Sequence, residues 1–490
     1  MSLPSIGALA RAAERAVESI RVLRGAGMLS PLRPDRLLIT GQALRRWGVT
    51  IPGGFAAAAA RDPEAIAVVD DRGEHSFAEI DGRTDAIAAA LREHGLGEDD
   101  RLGILCRNHA GFVEALLAGT KVGADLVLLN TGFAAPQLAD VLQREAVDLV
   151  VHDAEFTRLF RGVLPRERRI LAWTDAVSRG LSLERLASQG AGRRPAVPSR
   201  QSRLTILTSG TTGTPKGAAR AQPRSFETLV GVLDMVPLRS RQTVLIAAPL
   251  FHAWGLAHLG FGVVLRSTVV LQRTLEPQAV LAASERERVE MLAAVPVMLR
   301  RILELPAAVR RRYDLSSLQV VAVSGSALQA DLATRFMDTF GDVVYNLYGS
   351  TEVAVATIAT PQDLREAPGT VGRPPMGTTI RIVDDTGDEV GAGDTGRILV
   401  GNDLLFEGYT NGGGGERHGG MVATGDLGYR DADGRVFIAG RADDMIVSGG
   451  ENVFPGEVEE ALAAHPAVAD VAVVGVDDDE WGQRLAAFVV

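Results

Sequence analysis

Lysine is almost missing from this chain. Of its 51 basic residues only Lys121 and Lys216 are lysine, and the rest are arginine. Cysteine is reduced to Cys106, which excludes an intrachain disulfide framework and fits a reducing cytoplasm. No apolar run is long enough to span a bilayer. Arg11, Glu14, Arg15 and Glu18 interrupt what would have to be the apolar core of a signal peptide. An excess of positive charge is also absent. The net charge of −10 argues against nucleic acid as the main partner. What is present is ordinary for a cytoplasmic protein with large cores: 490 residues, 46% hydrophobic and 23% charged, enough for roughly two to four folding units.

Charge is unevenly spread. Residues 1–50 hold eight arginines against Glu14, Glu18 and Asp35, a net of +5 within a chain of −10. In the same segment Ile6, Leu9, Ala13, Val17, Ile20 and Leu23 recur at helical spacing. Such a stripe docks on the protein's own body or, with basic flanks, touches an anionic membrane. Docking is the simpler expectation, and membrane association of a cytoplasmic protein the alternative.

From about Asp62 the pattern alternates. Ala65–Val69 is a short β run, Asp70–Gly73 a turn and His75–Phe77 a returning strand. Helices are expected over Asp81–Gly95, Gly111–Gly123 and Pro136–Arg144, with strands over Arg101–Cys106, Ala124–Leu129 and Val147–His152. This alternation predicts parallel sheets with helical crossovers. Residues 190–203 read as a linker before the strand Leu204–Leu207. A second α/β stretch follows, with strands over Thr243–Ala248, Val269–Leu271, Met291–Ala294, Val320–Ser324 and Val343–Leu347. Near Gly377 short strands and Asp-Gly turns announce a β-rich subdomain. After Arg441 a small unit begins, with a helix over Pro455–His465 and strands over Val468–Val476 and Leu485–Val490.

The most informative segment is Leu207–Gly217, LTSGTTGTPKG. The hydroxyls of Thr208, Ser209, Thr211 and Thr212, the bendable Gly210 and Gly213, and the point charge of Lys216 suit a triphosphate. It is not a Walker loop, because Gly217 follows the lysine. A mere flexible linker is opposed by the preceding strand and by Pro215. Five further segments carry chemistry. In Tyr345–Glu352, YNLYGSTE, Tyr348 can stack on a base, Asn346 can read an adenine edge, and Thr351 with Glu352 offers hard oxygen ligands to Mg²⁺. In Ser324–Ala327 small residues leave room for a flat ring. Asp426 in Ala423–Tyr429 and Arg441 in Gly440–Glu459 suit a ribose diol. PLFHAWG, Pro249–Gly255, places His252 and Trp254 after a strand. Taken singly, each is as well explained by a turn, a packed histidine or a surface acid.

In this order the segments resemble the adenylate-forming superfamily of acyl- and aryl-CoA synthetases, luciferases and peptide-synthetase adenylation domains. The similarity covers residues 50–490. PLFHAWGLAH, SGGENVFPGEVE and GVDDDEWGQRLAAFVV are most similar to bacterial fatty-acyl-CoA synthetases. The fold implied is α/β. A large domain over 50–441, with two α/β sheet subdomains and a small β-rich subdomain, follows an amphipathic extension over 1–49. A small, incomplete and mobile α+β domain occupies 442–490.

The activity implied is an ATP-dependent fatty-acid:CoA ligase. A carboxylate attacks the α-phosphate of ATP·Mg²⁺ and releases pyrophosphate, and the thiol of coenzyme A then displaces AMP. Thr208 to Gly213 and Lys216 would cradle phosphates, and Thr351 and Glu352 would serve phosphate and metal. Gly325, Ser326, Ala327, Asn346, Tyr348 and Gly349 would frame adenine, and Asp426 and Arg441 would take the ribose. His252, Trp254 and Gly349 would border the acyl pocket. Asp443 would be the hinge of the small domain, and Gly449 and Gly450 would line the coenzyme A channel. A homodimer is compatible with this reading. The same resemblance leaves an acyl-AMP ligase loading a carrier protein, or a non-catalytic nucleotide-binding protein, as alternatives.

Two departures stand out. The family's lysine near the end of the small domain has no counterpart after Lys216, so adenylation is expected to be impaired. Met421-Val422-Ala423 also stands where many relatives carry a Trp-Phe pair before the threonine.

Overall fold

The computed structural model describes residues 6–29, 34–48, 50–176, 180–208, 216–220, 227–406, 408–409, 416–442, 444–448, 451–465, 467–478 and 482–490. Side chains are described for these except at 6–14, 208, 216–220, 409, 447–448, 451–452, 457, 477 and 482–483. The chain divides into two compact units, residues 1–322 with 406–413, and residues 323–405 with 414–490.

The first unit opens with three helices, α1 (Ile6–Gly25), α2 (Pro34–Trp47) and α3 (Ile51–Arg61). Sequence reasoning expects the first; α2 and α3 lie beyond the stripe it followed. Thr50 caps α3, its hydroxyl accepting from the Gly53 amide at 3.1 Å, with Pro52 in the first turn, where a missing N–H costs nothing. Val22 of α1 and Ala26 just beyond its end are buried, so that helix does dock on its own body.

Two sheets follow. In one, Leu204–Thr208, Asp125–Leu128, Arg101–Leu105, Leu149–Asp153 and Arg169–Trp173 lie parallel in that order. Lys216–Arg220 adds to the first edge antiparallel, and Gly408–Tyr409 to it in turn. In the other, Met291–Ala294, Thr243–Ile246, Thr268–Leu271 and Ile66–Asp70 are parallel neighbours, closed by the antiparallel Gly73–Ser76. Runs such as Met291–Ala294 are buried at every position. This is the signature of parallel strands covered on both faces, where alternation is lost. The expected crossover helices are present. One begins earlier than expected: Phe77–Glu93 rather than Asp81–Gly95. Ser76 and Glu79 form a reciprocal capping box there, so the chain passes directly from strand into helix.

The first of the two lysines is explained here. Lys121 is fully buried and donates to Asp81 Oδ1 at 2.8 Å, Thr84 Oγ1 at 2.9 Å and Asp85 Oδ1 at 2.6 Å. Its role is to tie the helix Ala110–Val122 to the helix Phe77–Glu93. A buried ammonium is tolerated only when paired and hydrogen-bonded in this way.

The second unit is β-rich, as expected beyond Gly377. Val344–Ser350 and Ala354–Ala359 form a tight antiparallel hairpin. Thr379–Val383, Gly396–Gly401, Met421–Arg430 and Arg417–His418 follow as an antiparallel sheet, with Val436–Arg441 paired to Met421–Arg430. The small terminal element joins the helix Pro455–Ala463 to the sheet Glu451–Val453, Ile446–Ser448, Gly482–Val489 and Val471–Asp478.

Candidate functional site

The second unit gathers the residues expected at adenine, ribose and metal. The segment Tyr345–Glu352 does not lie beyond the end of the strand expected over Val343–Leu347. Most of it is strand, because the hairpin partner Ala354–Ala359 extends Val344–Ser350 through Ser350. Gly349 has no room for a side chain: a Cβ there would lie 1.8 Å from the Ala354 carbonyl oxygen. That approach turns the chain back immediately and holds Thr351 and Glu352 at the tip. Ala354 completes the turn with φ of 59°, in the left-handed region that an alanine adopts only at a cost.

The tip is clamped from outside. Asn402 donates from Nδ2 to the Val353 carbonyl at 2.8 Å and the Val355 carbonyl at 3.3 Å, while its Oδ1 accepts from the Leu404 amide at 2.8 Å. Sequence reasoning does not single out Asn402. The available signal is its position, directly after the apolar strand Gly396–Gly401. Asn346 is buried and lies opposite Ala359 on the hairpin. Gly325, Ser326 and Ala327 are exposed, between the strand Val320–Val323 and the helix Ala330–Phe340.

Tyr348 meets Asp426 directly. Its hydroxyl donates to Asp426 Oδ2 at 2.5 Å, and Arg441 Nη1 donates to Asp426 Oδ1 at 3.3 Å. Strand register accounts for the second contact, since Asp426 and Arg441 are cross-strand partners. Gly425 precedes them with φ of 81°, and a Cβ there would lie 2.8 Å from Arg441 Nη2. The Asp426 amide donates to Thr424 Oγ1 at 3.1 Å, fixing the bend. Burial, then the neighbouring Asp426 charge, pushes the Tyr348 phenol well above its usual pKa. The phenol therefore stays a hydrogen-bond donor throughout the physiological range. Chemically, this is a carboxylate held between a phenol and a guanidinium, beside a turn carrying one hydroxyl and one further carboxylate.

The first unit carries His252 and Trp254, two of the three residues expected at the acyl pocket. His252 is the N-cap residue of the helix Ala253–Leu265 and is exposed. Trp254 donates from Nε1 to the Ala294 carbonyl at 2.9 Å. His258, one turn on, donates from Nδ1 to the Trp254 carbonyl at 2.9 Å and meets the indole edge to face at 4.1 Å. Burial lowers the His258 pKa to about 4, so the ring is neutral at pH 7.

The turn before His252 has its own clamp, which no local sequence pattern marks. Asn108 donates to the Ile246 and Ala248 carbonyls at 3.1 and 2.9 Å and accepts from the Leu250 amide at 2.9 Å. The loop carrying Asn108 is locked in turn by a fully buried pair, His109 Nε2 to Asp153 Oδ1 at 2.8 Å. Cys106, His109 and Asp153 lie close enough together to suggest metal ligands. Their bonds argue otherwise. His109 Nδ1 accepts from the Gly111 amide at 3.0 Å, so Nε2 carries the proton, and Asp153 Oδ2 accepts from the Arg107 amide at 2.9 Å. Burial also pushes the Cys106 thiol up, away from the thiolate that binds metals.

The strand Lys216–Arg220 places the Lys216 backbone opposite Thr208. Ser209, Gly210, Thr211, Thr212 and Gly213, the side chains of Thr208 and Lys216, and Asp443, Gly449 and Gly450 lie outside the described residues.

Similarity to known proteins bears on the same segments. Residues 55–410 match the model of the AMP-binding enzyme family, and residues 457–490 that of the AMP-binding enzyme C-terminal domain. A feruloyl-CoA synthase of Amycolatopsis is 32% identical over 444 residues, 87% of this chain and 86% of that protein. An indoleacetate–CoA ligase of Aromatoleum aromaticum is 31% identical, covering 88% and 86%. The solved structure of the o-succinylbenzoate coenzyme A synthetase of Bacillus subtilis in complex with AMP superposes with a TM-score of 0.78 at 27% identity, covering 89% of this chain and 88% of that one. The chain therefore belongs to the AMP-binding enzymes, in their adenylate-forming, acyl-CoA ligase family.

Proposed function

We propose that this protein is an AMP-forming ligase that joins a fatty acid to coenzyme A. The observation that carries the nucleotide half is Asp426 held between Tyr348 and Arg441. A carboxylate fixed by two donors keeps lone pairs for the two hydroxyls of a ribose. Thr351 and Glu352 present the oxygen donors that Mg²⁺ prefers, with the metal neutralising phosphate charge. Gly325, Ser326, Ala327, Asn346 and Gly349 border the base. Lys216, with Thr208, Ser209, Gly210, Thr211, Thr212 and Gly213, holds the phosphates. In the first step a carboxylate oxygen bonds to the α-phosphorus of ATP as the bond to pyrophosphate breaks. In the second the sulfur of coenzyme A bonds to the acyl carbon, AMP leaves, and the thiol proton is lost. Such steps need alignment and charge neutralisation more than covalent help. His252 and Trp254 border the acid. Asp443 is the hinge at the junction of domains 50–441 and 442–490, and Gly449 and Gly450 line the route of coenzyme A.

The fatty-acid assignment rests on the PLFHAWGLAH segment and the apolar helix Ala253–Leu265 that begins within it. A second reading is favoured by the relatives named above, all of which are named for acids carrying an aromatic ring. ATP–pyrophosphate exchange, followed by thioester analysis, separates them, using a long-chain fatty acid and ferulate with this chain and with Lys216→Ala. Exchange with the fatty acid that Lys216→Ala lowers, and thioester formation with coenzyme A, is the expected result. Exchange with ferulate alone would replace the fatty acid by an aryl acid. Binding of ATP with neither exchange on any acid nor thioester formation from supplied acyl-adenylate and coenzyme A would overturn the ligase assignment.

A further inference from the structure

The first two helices bury one face and leave another uncovered among the described residues. On α2, Leu37 and Leu38 are 59% and 65% exposed and Leu44 is 38% exposed. These positions, with Gly41 and Arg45, fall at i, i+1, i+4, i+7 and i+8, which is one side of a helix. The opposite side carries the buried Trp47 and packs on α3. On α1, Val17 and Ile20 are 68% and 57% exposed and fall in line with the exposed Arg24, while Val22 is buried. Scattered apolar residues on a surface need no explanation. Three leucines exposed together on one side of α2 do.

Charge identifies what they meet. The segment carries +5, while the chain as a whole carries −10, so the remainder is at −15. A second copy meeting this one about a two-fold axis through the patch would oppose like charge to like charge. A surface that is apolar beneath and anionic above matches it: the aliphatic side chains enter the acyl boundary while arginines meet the headgroups. With a Debye length of about 8 Å at physiological salt, the negative body is screened and the local patch decides the attraction.

We propose that α2 forms a peripheral docking surface for an anionic lipid bilayer, with Leu37, Leu38 and Leu44 as the inserting residues. This rests on exposure and charge alone and is independent of which acid the enzyme activates.

The test is flotation of the full chain with vesicles of phosphatidylglycerol and phosphatidylcholine, and with phosphatidylcholine alone. The expected result is binding to the anionic vesicles only. Raising NaCl to about 0.5 M should weaken it several-fold, and the triple substitution Leu37→Glu, Leu38→Glu, Leu44→Glu should weaken it about tenfold or more. These residues are exposed, so the variant should keep the wild-type melting temperature and pyrophosphate exchange. Absence of wild-type flotation would overturn the proposal, as would flotation undiminished by the triple substitution. So would light scattering that shows a wild-type dimer turned into a monomer by the substitution without any vesicle binding.

Discussion

Acidification should weaken the wall that carries Trp254, and the size of the effect follows from one histidine. His258 is buried, and its pKa is lowered from about 6.5 in the unfolded chain to about 4 in the fold. The folded value is the lower, so the unfolded chain takes the proton first. The contribution to stability is complete above about pH 6.5, is lost as pH falls from there to about 4, and then levels off. The full loss is about 3 kcal/mol, of which about 2 kcal/mol falls between pH 7 and pH 5. The neutral ring also braces Trp254, whose indole reaches the Ala294 carbonyl, so its loss should loosen the helix Ala253–Leu265 from the strand Met291–Ala294. Urea unfolding at pH 7 and pH 5, followed by tryptophan fluorescence, measures this in the wild type and in His258→Leu. The wild type should lose about 2 kcal/mol more than the variant, because the other titrating groups cancel between them. Equal pH dependence in two proteins that are both folded at pH 7 would refute the reasoning. If His258→Leu does not fold, titration of the labelled His258 ring by NMR decides instead, and an apparent pKa above about 6 refutes it.

Two further outcomes concern the nucleotide residues. Tyr348→Phe removes one donor from Asp426 without changing the ring. Hydrogen bonds to charged groups contribute about 1.5–3 kcal/mol, so KM for ATP in pyrophosphate exchange should rise about tenfold or more, with the melting temperature falling by a few degrees. An unchanged KM would detach this contact from nucleotide binding. Gly425→Ala places a Cβ against the Arg441 guanidinium at a φ of 81°, which costs about 1 kcal/mol or more in backbone strain alone. It should displace Arg441 from Asp426 and weaken ATP binding about tenfold by calorimetry; affinity within twofold of wild type would contradict that geometry.

Much of the fold is legible because parallel strands are written as solid apolar runs between turn residues. Met291–Ala294 and Arg101–Leu105 fall within a residue of expectation for this reason. Boundaries fail where a side chain caps the backbone. Ser76 and Glu79 start a helix four residues before Asp81, and no hydrophobic period reports that. The hairpin at Gly349 is hidden for a related reason: its second strand becomes visible only once it is paired.

By itself the sequence determines which chemistry is available. A lone lysine in a glycine- and threonine-rich loop, a Thr-Glu pair, an aspartate after a Thr-Gly and an Arg-Ala-Asp-Asp run are local facts, and their order marks the family. Tertiary structure decides which groups meet. Tyr348 and Asp426 are 78 residues apart and share a hydrogen bond. Asn108 and Asn402 hold segments far from them in the chain or on another strand. Lys121, the other rare lysine, proves to be a buried tie between two helices. Such pairings depend on strand register and on closing long loops, whose energies are sums over many distant residues, so no local stretch of sequence encodes them.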